Sequence, residues 1–176
     1  PGLDEMLRRN AEDGRLHFTT SIAEGIANAE VVFIAVGTPS QCSGGVDLSY
    51  VTEAALQIGR HIDHDVVVAT KSTVPVGTSR LVASIIKEQL TQRGAKLDID
   101  VVANPEFLKE GAAIKDFMSP DRVVVGVDSE RAKRVMARLY KPFMFISDRL
   151  MFMDVASAEL TKYASNAMLA ARISFM

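Results

Sequence analysis

The sequence predicts an α/β protein: a doubly wound, mostly parallel sheet with helices on both faces, followed by the start of a long helix. Two observations carry this. Short unbroken apolar runs, such as VVFIAV at 31–36 and DVVVAT at 65–70 (with its leading Asp), alternate with amphipathic stretches of helical period. Near residues 145–153 the alternation stops, and an apolar, alanine-rich stretch runs from about Val155 to Met176.

Taken in order, residues 3–10 read as a short helix and Leu16–Thr19 as a strand. Ser21 and Glu24 stand at capping-box spacing and open a second short helix. Val31–Val36 ends at Gly37 and reads as a strand buried on both faces. Asp47 is placed to cap a helix whose inner face is Val51, Ala54, Ala55, Ile58 and Ile62. After the strand Asp65–Thr70, Thr78 is placed to cap a helix with Leu81, Val82, Ile85, Ile86 and Leu90 inward. Ile99–Ala103 and Arg122–Val127 are two further strands, and Ser129 caps a helix bearing Ala132, Val135, Met136, Leu139 and Tyr140. The last helix is apolar nearly all round, the pattern of a helix buried between layers, domains or subunits. A domain boundary is expected near residue 150.

Composition narrows the class of function. The 176 residues are 48% hydrophobic and 24% charged with a net charge of −2, which gives no electrostatic footprint for nucleic acid. No run of eighteen apolar residues suggests a membrane span, and no secretory leader is visible. The single cysteine, Cys42, fits a reducing cytoplasm. His17, His61 and His64 lack metal-site spacing and read as solvated surface residues; no metal is expected. The chain starts at Pro1 and stops at Met176 without a helix stop signal, so an internal piece of a longer chain is expected.

In a doubly wound sheet, ligands bind beyond the carboxyl ends of the strands. There the sequence places Gly37-Thr38-Pro39, then Lys71-Ser72-Thr73-Val74-Pro75-Val76-Gly77-Thr78, then Asn104-Pro105-Glu106-Phe107-Leu108-Lys109-Glu110-Gly111. Any one of these could be a plain turn; three in register along one edge point to a shared site. Glu106 and Glu110, four apart, would share one face of a helical turn and could act as a base and its partner. Lys162 and Asn166, also four apart on the last helix, could stabilise an oxyanion, or could equally be a structural pair at a subunit contact. The dinucleotide fingerprint G-x-G-x-x-G is absent from these residues.

These segments carry a resemblance. Pro1-Gly2-Leu3, VGTP at 36–39, KSTVPVGT at 71–78, NPEFLKEGAAIKDF at 104–117 and AELTKYASNAMLAARISFM at 158–176 resemble the UDP-glucose/GDP-mannose dehydrogenase family over essentially the whole chain. Ser119-Pro120-Asp121-Arg122 looks like its UDP-glucose branch. The resemblance implies a Rossmann-like fold, residues 1–150 being an incomplete NAD-binding domain and 151–176 the start of a central helix that makes a homodimer. It implies oxidation of the C6 alcohol of UDP-glucose to the acid, through an aldehyde and a cysteine thioester, using two NAD and one water. By motif, Thr38 and Thr73 match NAD-contacting threonines, and Thr73 also helps position water. Glu110 matches an acid in base catalysis beside the cofactor. Glu106, Phe107, Leu108, Lys109 and Glu110 match the segment that holds the sugar nucleotide. Lys162 and Asn166 match residues that bind substrate and stabilise the C6 oxyanion. The family's first strand with its Gly-rich loop and its nucleophilic cysteine have no counterpart here, and Cys42 lacks that cysteine's flanking motif. This stretch alone is therefore expected to be inactive. Three other readings stand beside this one: a GDP-mannose or UDP-N-acetyl-hexosamine enzyme, a non-catalytic nucleotide-binding module, and a hydroxyacid dehydrogenase.

Overall fold

The computed structural model describes residues 2–42, 44–109, 111–144 and 149–176. Five strands form one sheet in the order β1 (Val31–Ile34), β2 (Val66–Thr70), β3 (Ile99–Ala103), β4 (Val123–Gly126) and β5 (Leu150–Met153). The pairings β1–β2, β2–β3 and β4–β5 are parallel, and β3–β4 is antiparallel. Between them lie α1 (Leu3–Glu12), α2 (Ile22–Ile26), α3 (Ser49–His61), α4 (Thr78–Gln92), α5 (Ala113–Met118), α6 (Glu130–Tyr140) and, after β5, α7 (Val155–Phe175).

The sheet is covered on both faces because successive strand residues point opposite ways. Val66 and Val68 of β2 pack with Val51, Ile58, Val82 and Ile86 of α3 and α4. Val67 and Ala69 pack on the other side with Val102, Val125 and Met136. Gly59 of α3 makes the first of these layers tight: a Cβ there would stand 2.7 Å from Cβ of Gln89 on α4.

The helix starts follow the predicted chemistry in part. Ser21 accepts from the Glu24 N–H and Ser129 from the Ala132 N–H, as N-caps do. Ala132, Met136 and Tyr140 of α6 are buried as expected. Asp47 accepts from the Ser49 N–H at 2.8 Å, one residue ahead of the cap position at Leu48.

Other expectations are corrected. Leu16–Thr19 is not a strand: the Leu16 N–H bonds back to the Asn10 carbonyl, and Phe18 is exposed. β1 ends at Ile34, two residues short, and is not buried on both faces. Among the described residues it pairs only with β2, leaving Phe33 38% exposed. Thr78 does not cap α4 but begins it; Gly77, in the left-handed region at φ 98°, stands at the cap position. Leu81 faces outward at 42% exposure, while Ser79 takes a buried place beside Val82, Ile86 and Leu90. His64 is half-buried, its ring bonded to the Ala29 carbonyl and to Asp63.

The largest difference lies after α6. The stretch where alternation was expected to stop contains β5, parallel to β4, so the sheet extends to Met153. α7 then turns back along β4. Val155 and Ala158 sit directly on Gly126, where a Cβ would stand 2.7 Å from the Val155 Cα and the Ala158 Cβ. Further along, Ser165 accepts from Arg122, just before the start of β4. β3 and β4 overlap only at Ala103↔Gly126, so both β4 and α7 project beyond the carboxyl end of β3. The expected all-round burial of α7 is not found in this chain. Val155, Ala158 and Glu159 are buried, whereas Met168, Leu169, Ile173 and Phe175 are exposed, because α7 outruns the sheet that covers its first turns.

Candidate functional site

The loops after β1 and β2 are stitched together at the carboxyl edge. The Lys71 and Ser72 N–H groups both donate to the Ile34 carbonyl, and the Ser72 hydroxyl donates to the Val36 carbonyl at 2.7 Å. The Thr38 hydroxyl donates to the Thr73 carbonyl at 3.0 Å. Thr38 and Thr73, 35 residues apart in sequence, are thus neighbours on one edge, as a shared site requires.

The loop after β3 is anchored by Asn104, which is buried. Its N–H donates to the Thr70 carbonyl, its side-chain NH₂ donates to the Val124 carbonyl, and its side-chain carbonyl accepts from the Tyr140 hydroxyl. One amide therefore ties β2, β4 and α6 to the start of the Glu106 segment. Burial pushes the Tyr140 hydroxyl up to about 12. Tyr140→Phe leaves the Asn104 acceptor buried without this donor and is expected to cost about 1–3 kcal/mol of stability. The sign with pH follows from linkage. A phenol whose folded pKa lies above the unfolded 10.0 stabilises fully below that value and loses the contribution as pH rises towards 12. Urea midpoints at about pH 8 and about pH 11 should converge for wild type and variant; a gap that stays constant contradicts this account.

Residues 104–109 are not helical, so Glu106 does not stand on a helical turn; Glu110, its expected partner, lies outside the described residues. Glu106 instead accepts from the Leu108 N–H, and its other oxygen faces the Lys162 ammonium at 3.9 Å. Lys162 is only 13% exposed, and its ammonium also lies 5.2 Å from the centre of the Phe107 ring. Arg122 sits 4.8 Å from the same ring centre. Lys109 is exposed; its N–H and ammonium both meet Asp116. A cavity of about 300 Å³ opens among Lys71, Phe107, Arg122, Lys162, Asn166 and the neighbouring Leu108 and Lys109, within the range of small-molecule pockets. Thr73 and Lys162 border an adjoining recess, together with Pro105 and Glu159.

Three groups of the cavity and its adjoining recess received no role from the sequence. Lys71 is half-buried at the end of β2. Burial holds its ammonium below the usual lysine range, the nearby Lys162 charge acts the same way, and the Glu106 carboxylate counteracts both. Its signal in the sequence is a cation directly after a fully apolar run. Arg122 enters only because β4 runs back against β3. Glu159 is a charged residue on the apolar first turns of α7, and that contrast was its one visible signal. Cys42 is exposed, and among the described residues no three His, Cys, Asp or Glu side chains gather as a metal site. No helix of the described residues is long and apolar enough to cross a membrane.

Sheet, stitched loops and polar cavity together define an α/β nucleotide-binding domain with a site at the carboxyl edge of its strands. Residues 1–144 match the UDP-glucose/GDP-mannose dehydrogenase family, NAD binding domain, and the chain belongs to that family. It is 46% identical to a UDP-glucose 6-dehydrogenase of Bacillus subtilis and 48% identical to one of Pseudomonas aeruginosa, in each case over all of this chain and 39% of the relative. A UDP-glucose dehydrogenase structure from Pyrobaculum islandicum superposes with a TM-score of 0.90 at 43% identity, over 99% of this chain and 40% of the other. A GDP-mannose dehydrogenase ternary complex from Pseudomonas aeruginosa also reaches 0.90, at 32% identity and the same coverage. The chain thus spans about two fifths of the length of these relatives.

Proposed function

We propose that this chain serves in a full-length enzyme that oxidises the C6 alcohol of UDP-glucose to the carboxylate with NAD. The observation that carries the reading is the convergence of Lys162, from α7, with Glu106 and Phe107 beyond the carboxyl edge. A polar ligand at that edge gives this arrangement of part-buried charges a use.

The residues present fit NAD on the β1–β2 side. Gly37 is exposed with open space where a Cβ would stand, so backbone can approach a ligand, and Thr38 and Thr73 lie at the same edge. NAD held there would supply the hydride acceptor for oxidation at C6. Thr38, Thr73 and Glu110 border the cofactor in this reading, and Thr73 orients water. Glu106, Phe107, Leu108, Lys109 and Glu110 cradle the sugar. Lys162 meets the negative charge that grows on the C6 oxygen, Asn166 one turn on donates a second hydrogen bond, and Glu110 serves as base. The exposed Leu160, Met168, Leu169 and Ile173 suit α7 to a homodimer contact, and because β5 belongs to the sheet the second domain would begin with α7 past Met153, not at residue 151. A cytoplasmic setting accords with one exposed free cysteine.

The equal TM-score of the GDP-mannose enzyme keeps that substrate as the second reading. The higher identity to UDP-glucose enzymes favours the first. NADH formation by the full-length enzyme with each nucleotide sugar decides. Turnover of UDP-glucose well above GDP-mannose is expected, and the reverse order overturns the assignment.

A further inference from the structure

Glu159 is 3% exposed, the one buried charged side chain among the described residues. Both its oxygens are used. One accepts from the Gly77 N–H at 2.6 Å, the other from the Ser79 N–H at 2.7 Å. These donors belong to the first turn of α4, whose side-chain cap is missing: Gly77 has no side chain, and Thr78 donates its hydroxyl to the Pro75 carbonyl. A helix start leaves N–H groups without intrahelical acceptors and carries positive dipole charge, so a carboxylate there is held from both sources. Here it comes from a helix some eighty residues away.

The two segments that Glu159 joins are the two that must meet. Gly77 closes the loop carrying Lys71 and Thr73. Glu159 lies three residues before Lys162, on nearly the same face of α7. Glu159, Thr73 and Lys162 border one recess. Elsewhere the first turns of α7 rest on Gly126 and Ala103 through small contacts that set its distance from the sheet. The pair of Glu159 bonds is buried and directional, and together with the Arg122–Ser165 bond further along it sets the rotation and slide of α7.

We propose that Glu159 is a positioning residue: by clamping the start of α4, it fixes the register of α7 so that Lys162 and Asn166 address the same point as Thr73. The inference rests on the catalytic reading of Lys162. It also accounts for the absence of a local cap on α4, since the donors are kept for a distant carboxylate.

The test is a double-mutant cycle in the full-length enzyme at saturating UDP-glucose and NAD, combining Glu159→Gln with Lys162→Ala. Glu159→Gln keeps one acceptor and turns an NH₂ towards a donor. It should lower kcat by roughly 10-fold, inside the hundredfold that misplacement of reacting groups can cost. In the Lys162→Ala background the same change should lower kcat clearly less, by about two- to threefold, because only Asn166 is left to misplace. Equal losses in both backgrounds, or a lowered thermal midpoint with unchanged kcat, overturn the proposal. If Lys162→Ala alone leaves kcat unchanged, the catalytic reading of Lys162 falls first, which separates the two failures. Should Glu159→Gln not fold, Glu159→Asp, which keeps the charge but cannot span both donors, takes its place with the same expectations.

Discussion

Lys162→Ala in the full-length enzyme is expected to lower kcat by roughly 10²-fold or more, the scale for losing one preorganised oxyanion donor. The Lys162 side chain is 13% exposed, its ammonium lies between Glu106 at 3.9 Å and the Phe107 ring, and it is carried by a helix seated on the sheet. It therefore meets a developing charge with little rearrangement. Part of the loss should appear in KM if the lysine also holds the ground-state sugar. A structural pair would behave otherwise: the variant would lose thermal stability or dimer affinity while folded protein kept its turnover. Measuring kcat, KM and the thermal midpoint on one preparation separates the outcomes, and near-normal kcat removes Lys162 from the reaction.

Glu106→Gln is expected to lower kcat by at least roughly 10-fold and to change its pH dependence. Glu106 faces Lys162 and opposes the effect of burial on Lys71. Without that carboxylate, desolvation and the Lys162 charge act on Lys71 unopposed, so its proton is lost at lower pH. Lys71 lines the cavity and would attract an anionic substrate only while protonated, below its folded pKa. The alkaline limb of kcat/KM should therefore move to lower pH in the variant. The stability sign is consistent: a lysine with a depressed folded pKa is penalised while charged, and the penalty fades as pH rises through that value. An alkaline limb at its wild-type position would show that Lys71 plays no part in binding or turnover.

How the site became legible differs residue by residue. Thr38, Thr73 and Glu106 could be placed on one edge from sequence, because apolar runs mark parallel strands and ligands gather past their carboxyl ends. Lys162 and Asn166 could be paired by helical spacing. Their meeting with Glu106 could not be foreseen, since it depends on the path of α7. Glu106 does not stand on the expected helical turn because Asn104 and Pro105 lead an irregular segment, held by bonds to β2, β4 and α6. β5 escaped notice because LMFM follows two charged residues, lacks the β-branched signature, and owes its strand form to pairing with β4.

The sequence by itself determined the α/β class, the four strands with strong β-branched runs, the helices whose Ser caps are local, and the family. Each of these depends on periodicity, capping or motif, all read within a few residues. The tertiary structure alone decided that β4 reverses, that α7 rides on Gly126, that Arg122 and Lys162 flank Phe107, and that Glu159 caps a helix eighty residues away. The physical reason is range. Backbone preference and amphipathic pattern act between near neighbours in the chain, whereas a buried charge finds its partner only when folding brings distant elements to hydrogen-bond distance.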